Sequence, residues 1–272
     1  MVDFSFSGPR GPITGTKSGS GPCLILLAGI GSTHRLWGEF PAHLSRNLTV
    51  VTINNRGVGG SRGGDAFTID GAAEDIVTLL DHLKQESARV LGASMGGLIA
   101  LRTALKAPER IDRMVVLSSA ARMTSHGRRS IGLLRTMLIH LPPEEFGRNL
   151  MTLAFAPPFQ TRLPSFVDQA GDLFGLDPAD VPGAIAQAEA MLEGWDDRSA
   201  LRSLPVPALV IAGERDPIVA MEDTREIAVA LPFSEFIQVP DAGHSVLAEG
   251  GRTVFDRVLS FLRPAAGNDQ RR

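Results

Sequence analysis

Three residues of this chain could together make an alcohol oxygen reactive: Ser94, Asp216 and His244. Ser94 lies in Gly92-Ala93-Ser94-Met95-Gly96-Gly97. An apolar run, Ala88-Arg89-Val90-Leu91, precedes it, and a segment with Leu98, Leu101 and Leu105 on one face follows, ended by Pro108. The pattern reads as strand, sharp turn, helix. Gly92 and Gly96 have no Cβ to clash at such a turn, so the serine hydroxyl is pushed out to where a substrate can meet it. The helix behind it points free N–H groups and a positive dipole end at the same spot. A serine hydroxyl is a poor nucleophile at neutral pH until a base takes its proton. The turn therefore requires a histidine and an acid further along.

Both stand just past apolar runs of strand length. Asp216 is in Ala212-Gly213-Glu214-Arg215-Asp216-Pro217, and His244 is in Asp241-Ala242-Gly243-His244. In that arrangement His244 takes the serine proton and later gives it to the leaving group. Asp216 fixes the tautomer of His244 and stabilises the imidazolium. Glu214 is the competing acid but lies nearer the strand. An oxyanion needs two backbone donors, and the choices are Met95 N–H at the helix start and Ile30 N–H in Gly29-Ile30-Gly31-Ser32, ahead of Gly31. Losing one would cost ~3 kcal/mol of transition-state stabilisation. Gly59-Gly60-Ser61-Arg62-Gly63 also fits Gly-x-Ser-x-Gly, but no strand precedes it and no helix follows. It reads as a loop that Arg56 helps to order.

The elements that must hold these residues alternate. Cys23–Ala28, Leu48–Ile53, Arg110–Leu117, Val206–Gly213 and Glu235–Val239 read as strands. Between them, helices are expected from Thr33 with face Leu36, Trp37, Phe40 and Leu44, from Asp70 to Lys84, from Met221 to Leu231 and from Arg252 to Leu262. Edge strands fit near Phe4–Ser7 and Ile13–Thr16. Such alternation implies an α/β fold with a mostly parallel sheet, its functional loops at the carboxyl ends of strands. From Ala121 to Leu204 the rhythm changes to helical spacing broken by prolines. An inserted helical cap over 121–204 is expected, on a core of 1–120 and 205–272. Its first part is basic (Arg122, Arg128, Arg129, Arg135, Arg148) and its last part acidic (Asp177, Asp180, Glu189, Glu193, Asp196, Asp197), as for mutually facing surfaces. Its Met137, Leu138, Phe155, Phe159, Phe166 and Phe174 should mostly hold it together.

Composition sets outer bounds. With 272 residues and 43% apolar side chains, a substantial core can form. A net charge of −3 gives no footprint for nucleic acid or anionic lipid. Cys23, the single cysteine, heads an apolar run and reads as a buried, inert thiol. No basic-then-apolar leader is visible, and no apolar run reaches the ~20 residues of a membrane span, so a cytoplasmic protein is expected. Oligomeric state is not legible.

Together Leu91–Gly97, Asn54-Asn55-Arg56-Gly57-Val58-Gly59-Gly60-Ser61, Leu209–Pro217 and Ala242-Gly243-His244 resemble the α/β-hydrolase superfamily, across about Cys23 to Leu262. The branch is that of 3-oxoadipate enol-lactonases, small-ester methylesterases and carboxylesterases. Ala28 stands where many members carry the histidine of a His-Gly pair; the backbone donor after it needs no particular side chain. The resemblance implies an acyl-enzyme hydrolase of a small to medium, partly apolar ester or lactone, with Ser94, Asp216 and His244 catalytic and Ile30 and Met95 forming the oxyanion hole. It implies a small-molecule substrate and neither metal nor organic cofactor. Gly29, Gly31, His34, Phe155 and Phe159 are the candidate substrate contacts. The same fold also hosts C–C hydrolases, transacylases, lyases, cofactor-free oxygenases and silent ligand receptors.

Overall fold

The computed structural model describes residues 2–8, 10–173 and 176–263. Its strands are β1 (Val2–Gly8), β2 (Gly11–Ser18), β3 (Cys23–Leu27), β4 (Thr49–Ile53), β5 (Ala88–Ala93), β6 (Ile111–Leu117), β7 (Ala208–Gly213) and β8 (Ser234–Val239). They form one sheet in the order β1-β2-β4-β3-β5-β6-β7-β8. β1 and β2 form an antiparallel hairpin, and β2 meets β4 antiparallel; every other pairing is parallel. Because alternate side chains of a strand leave opposite faces, each central strand serves two cores. Ile25, Leu27, Val90, Met114 and Val210 join one cluster. Leu24, Leu26, Leu91, Val115 and Leu209 join the other. This is why β3 reads as an unbroken apolar run: all five of its residues are buried.

The helices are α1 (Phe40–Leu44), α2 (Ile69–His82), α3 (Met95–Lys106), α4 (Ser125–His140), α5 (Pro143–Ala154), α6 (Pro157–Arg162), α7 (Pro164–Leu173), α8 (Val181–Leu192), α9 (Arg198–Leu201), α10 (Met221–Ala230), α11 (Val246–Glu249) and α12 (Gly251–Leu262). Ile76, Leu79 and Leu80 of α2 are buried with α3 on the first cluster. Trp37, Phe40, Leu44, Val258 and Leu262 cover the other face. The single helix expected from Thr33 is instead a 3-10 turn, His34–Trp37, followed by α1. Gly38, at φ +47°, breaks it, and Pro41 lacks the N–H that a continuing helix would need.

Helices α4 to α9 all lie between β6 and β7. Prolines that looked like breaks mark starts: Pro143, Pro157 and Pro164 each open a helix, where a missing N–H costs nothing. Ile131, Leu134, Leu138, Ala184 and Ala188 join the same cluster as β3 and β5, so this segment is continuous with the core. Phe174 and the tail from Pro264 lie outside the described residues. Cys23 is 3% exposed, and burial pushes its thiol up to about 11.

Arg56 does order its loop. Its guanidinium bonds Asp75 on α2 at 2.5 Å and also donates to the carbonyl of Arg10, both side chains of the ion pair being buried. Burial pushes the Asp75 carboxyl above its ordinary value, against the opposing pull of Arg56. Removing one member of a buried pair strands the other. Arg56→Met should therefore lose about 3 kcal/mol in urea unfolding followed by tryptophan fluorescence, and Arg56→Met with Asp75→Leu should recover most of it.

Candidate active site

Ser94 caps α3 at φ +56° and ψ −122°, a strained backbone for a residue with a Cβ. Close backbone packing imposes it. A Cβ on Gly92 would fall 2.1 Å from the carbonyl of Gly96, and one on Gly96 would fall 2.0 Å from the carbonyl of Leu27. Only glycine fits either place. The amide of Ser94 donates to Leu117 O on β6 at 2.9 Å, which fixes the turn from the other side.

Asp216 and His244 follow β7 and β8, and their loops are laced together. Arg215 N donates to Ala242 O at 2.8 Å, and Glu214 N donates to Val239 O at 3.0 Å. A Cβ on Gly213 would strike Gly243 O at 2.1 Å. In that frame His244 Nδ1–H donates to Asp216 Oδ2 at 2.8 Å. The other oxygen, Oδ1, accepts from the amides of Ile218 at 2.8 Å and Val219 at 2.9 Å, so the carboxylate cannot swing away. Its side chain is 1% exposed and that of His244 is 14% exposed. Glu214 is exposed and turns the other way, accepting from Asp241 N at 3.1 Å and Gln238 Nε2 at 3.3 Å. Ser94 shares a narrow cavity of about 30 Å³ with Ile218 and Val219, the two residues whose amides hold Asp216. Its hydroxyl and His244 Nε2 make no hydrogen bond with any described residue, and in sites without substrate this contact is often long.

The loop after β3 lies directly on the serine. A Cβ on Gly29 would be 3.3 Å from Ser94 Cβ and 3.7 Å from Ser94 Oγ. Within the loop Ser32 N donates to Gly29 O at 3.2 Å. The amide of Gly31 is taken up by Gln187 Oε1 at 2.8 Å. The amides of Ile30 and Met95 donate to no described residue. Ile30 follows Gly29, which packs on Ser94, and Met95 follows Ser94 itself.

Of the other sequence candidates, Gly31 and His34 line a separate cavity of about 460 Å³, together with Arg62, Phe166 and Leu176. His34 is held by Asn54, whose Oδ1 accepts from the His34 amide at 2.8 Å. Phe155 and Phe159 line neither cavity. They stack at 5.0 Å and pack edge-on against Phe166, inside the inserted segment. Ser61 is fully buried, accepting from Thr14 N and donating to Asn54 O, which accounts for it structurally.

A family model described as alpha/beta hydrolase fold matches residues 22–251. The chain belongs to the alpha/beta-hydrolase family. The 3-oxoadipate enol-lactonase 2 of Acinetobacter baylyi is 29% identical over 227 residues, covering 82% of each chain. The enol-lactonase of Burkholderia xenovorans superposes with a TM-score of 0.84 at 25% identity, covering 95% of this chain and 99% of that one. A hydrolase from Pseudomonas aeruginosa superposes at 0.85 with 26% identity, covering 96% and 98%. Among the described residues of this alpha/beta-hydrolase, no group of three or more His, Cys, Asp or Glu could hold a metal ion, and no helix is long and apolar enough to cross a membrane.

Glu249 gave no signal in the sequence. Its carboxylate accepts from Gly243 N at 2.9 Å and from Ala156 N at 3.0 Å, tying the His244 loop to the inserted segment. Burial outweighs these donors and raises its pKa, and nearby Asp216 raises it further. A carboxyl raised on folding takes up a proton, so its stabilising share is complete below the ordinary value of 4.5 and fades as pH rises through the folded one. Wild type should therefore lose stability relative to Glu249→Gln as pH climbs from below 4.5 to neutrality. Urea unfolding of both proteins across that range checks the sign.

Proposed function

We propose that this alpha/beta-hydrolase is a serine hydrolase acting on a small to medium, partly apolar carboxylic ester or lactone. The observation that carries the reading is the His244–Asp216 hydrogen bond, its carboxylate clamped by two amides, beside a serine on a strained turn. In this reading Ser94 Oγ attacks the carbonyl carbon while His244 Nε2 takes its proton. In the same reading the tetrahedral oxyanion is met by the N–H groups of Ile30 and Met95, which donate to no other described residue. Collapse breaks the acyl C–O bond, and His244 returns the proton to the leaving oxygen. Water activated by the same imidazole then releases the acid. With a lactone the leaving oxygen stays tethered to the acyl group, and one molecule departs.

Apolar Met123, Ile131, Met191 and Ile218, which line the cavity beside Ser94, suit an apolar acyl part. The relatives named as enol-lactonases support the lactone branch.

Ser94→Ala should lower kcat/KM for a p-nitrophenyl ester at least about 10⁴-fold, and Asp216→Asn by a similar factor. A fluorophosphonate probe should add to Ser94 alone, read by peptide mass spectrometry. Full activity in Ser94→Ala, or turnover of the natural substrate without a serine adduct, would defeat the assignment. Activity across acyl lengths and lactones would place the substrate within the class.

A further inference from the structure

We infer that Gln187, on α8 of the inserted segment, is a positioning residue of the oxyanion hole; this rests on the roles given above to Ser94 and Ile30. The loop that must present the Ile30 amide is Gly29-Ile30-Gly31, with Gly31 at φ +68°. Flanking glycines leave its peptide planes free to turn, so something beyond local sterics must set them. Two planes matter. A trans peptide points its N–H opposite to its C=O. The bond from Ser32 N to Gly29 O therefore sends the Ile30 N–H outward from the turn. The next plane, carrying Ile30 C=O and Gly31 N–H, is held at its N–H by Gln187, whose Oε1 accepts at 2.8 Å, and more weakly at its carbonyl by the Ser32 hydroxyl, which donates at 3.4 Å. Were that plane to flip, the Ile30 carbonyl would reverse, and its negative end would turn from its present side toward the opposite one.

Gln187 is suited to the task. It is fully buried, and its other end, Nε2, donates to Arg56 O at 2.9 Å. One partner is an N–H and the other a C=O, so only one orientation of the amide satisfies both. Ala28, at the head of the loop, has no side-chain group that could replace it; Asn55 Nδ2 holds only the Ala28 carbonyl, at 2.9 Å. The helix that carries Gln187 is itself locked. Gly183 lies against Gly57 so closely that a Cβ there would be 1.9 Å from Gly57 O. Asp180, just before the helix, accepts from Gly59 N at 2.9 Å and Arg62 Nε at 2.7 Å. The inserted segment, which also lines the cavity beside Ser94, thus holds the peptide next to the Ile30 donor.

The experiment compares Gln187→Met, which keeps the length but forms no such bond, with Gln187→Glu, which keeps an acceptor for Gly31 N–H. Active sites are titrated with a fluorophosphonate, and kcat is expressed per titrated Ser94. Gln187→Met should lose about 10- to 100-fold in kcat with KM changed less than about twofold. Affinity for a boronic acid that mimics the tetrahedral state should fall in parallel. Gln187→Glu should recover most of both. If Gln187→Met yields no titratable protein, Gln187→Asn, one methylene too short to reach Gly31, takes its place with the same expectation. A merely structural role would lower the titratable fraction and leave kcat per site alone. Wild-type kcat per site in the Met variant, or a Glu variant as slow as the Met variant, overturns the inference. Labelling at a residue other than Ser94 would instead overturn the reading it rests on.

Discussion

Where α3 begins, main chain touches main chain with no room for a side chain. The carbonyl of Leu27 would lie 2.0 Å from a Cβ on residue 96, and the carbonyl of Gly96 2.1 Å from one on residue 92. This contact presses the helix start onto the ends of β3 and β5. It forces Ser94 to its positive φ, and it brings the loop after β3 to within contact of the serine side chain. The strain costs of order 1–3 kcal/mol and persists because the surrounding sheet over-determines the turn. Every other feature of the site is arranged relative to that junction.

The segment between β6 and β7 reaches both loops that flank the serine. Gln187 and Asp180 bind backbone on one side, at Gly31, Arg56 and Gly59. On the other side Ala156 N donates to Glu249 and Ala154 O accepts from Ser245 N. These ties weigh more than the ion pairs nearby. Arg62 and Asp177 are both about half exposed, and solvent screening leaves such a pair little net value. Buried backbone groups, by contrast, cost roughly 1–3 kcal/mol each when left unmet. The basic and acidic parts of the segment do face one another in places, as in Arg135 with Glu189 at 2.6 Å, while Arg122 pairs outside it with Glu226.

Much of the architecture was legible because it follows from local rules. Strands covered on both faces show as unbroken apolar runs, and the glycines at 92 and 96 mark a turn whose packing excludes Cβ. Context also separated Ser94 from Ser61, whose hydroxyl is spent on Thr14 and Asn54. What was hidden depends on apposition between distant segments. Nothing at Gln187 or Glu249 distinguishes them from solvated helix residues until α8 and α11 are set against their loops. Gly57 and Gly183 likewise disclose their contact only in three dimensions. Phe155 and Phe159, expected mainly to hold their segment together, do stack on one another there.

Cys23 opens β3 in the middle of the sheet, 3% exposed, with its thiol raised to about 11. A buried thiol whose pKa is raised presents little of the reactive sulfur anion, and the strand that carries it is paired on both sides. Rapid modification should then require that pairing to open. A single native residue thus serves as an internal gauge of global opening, letting pulsed alkylation follow the rare unfolded population without any introduced label.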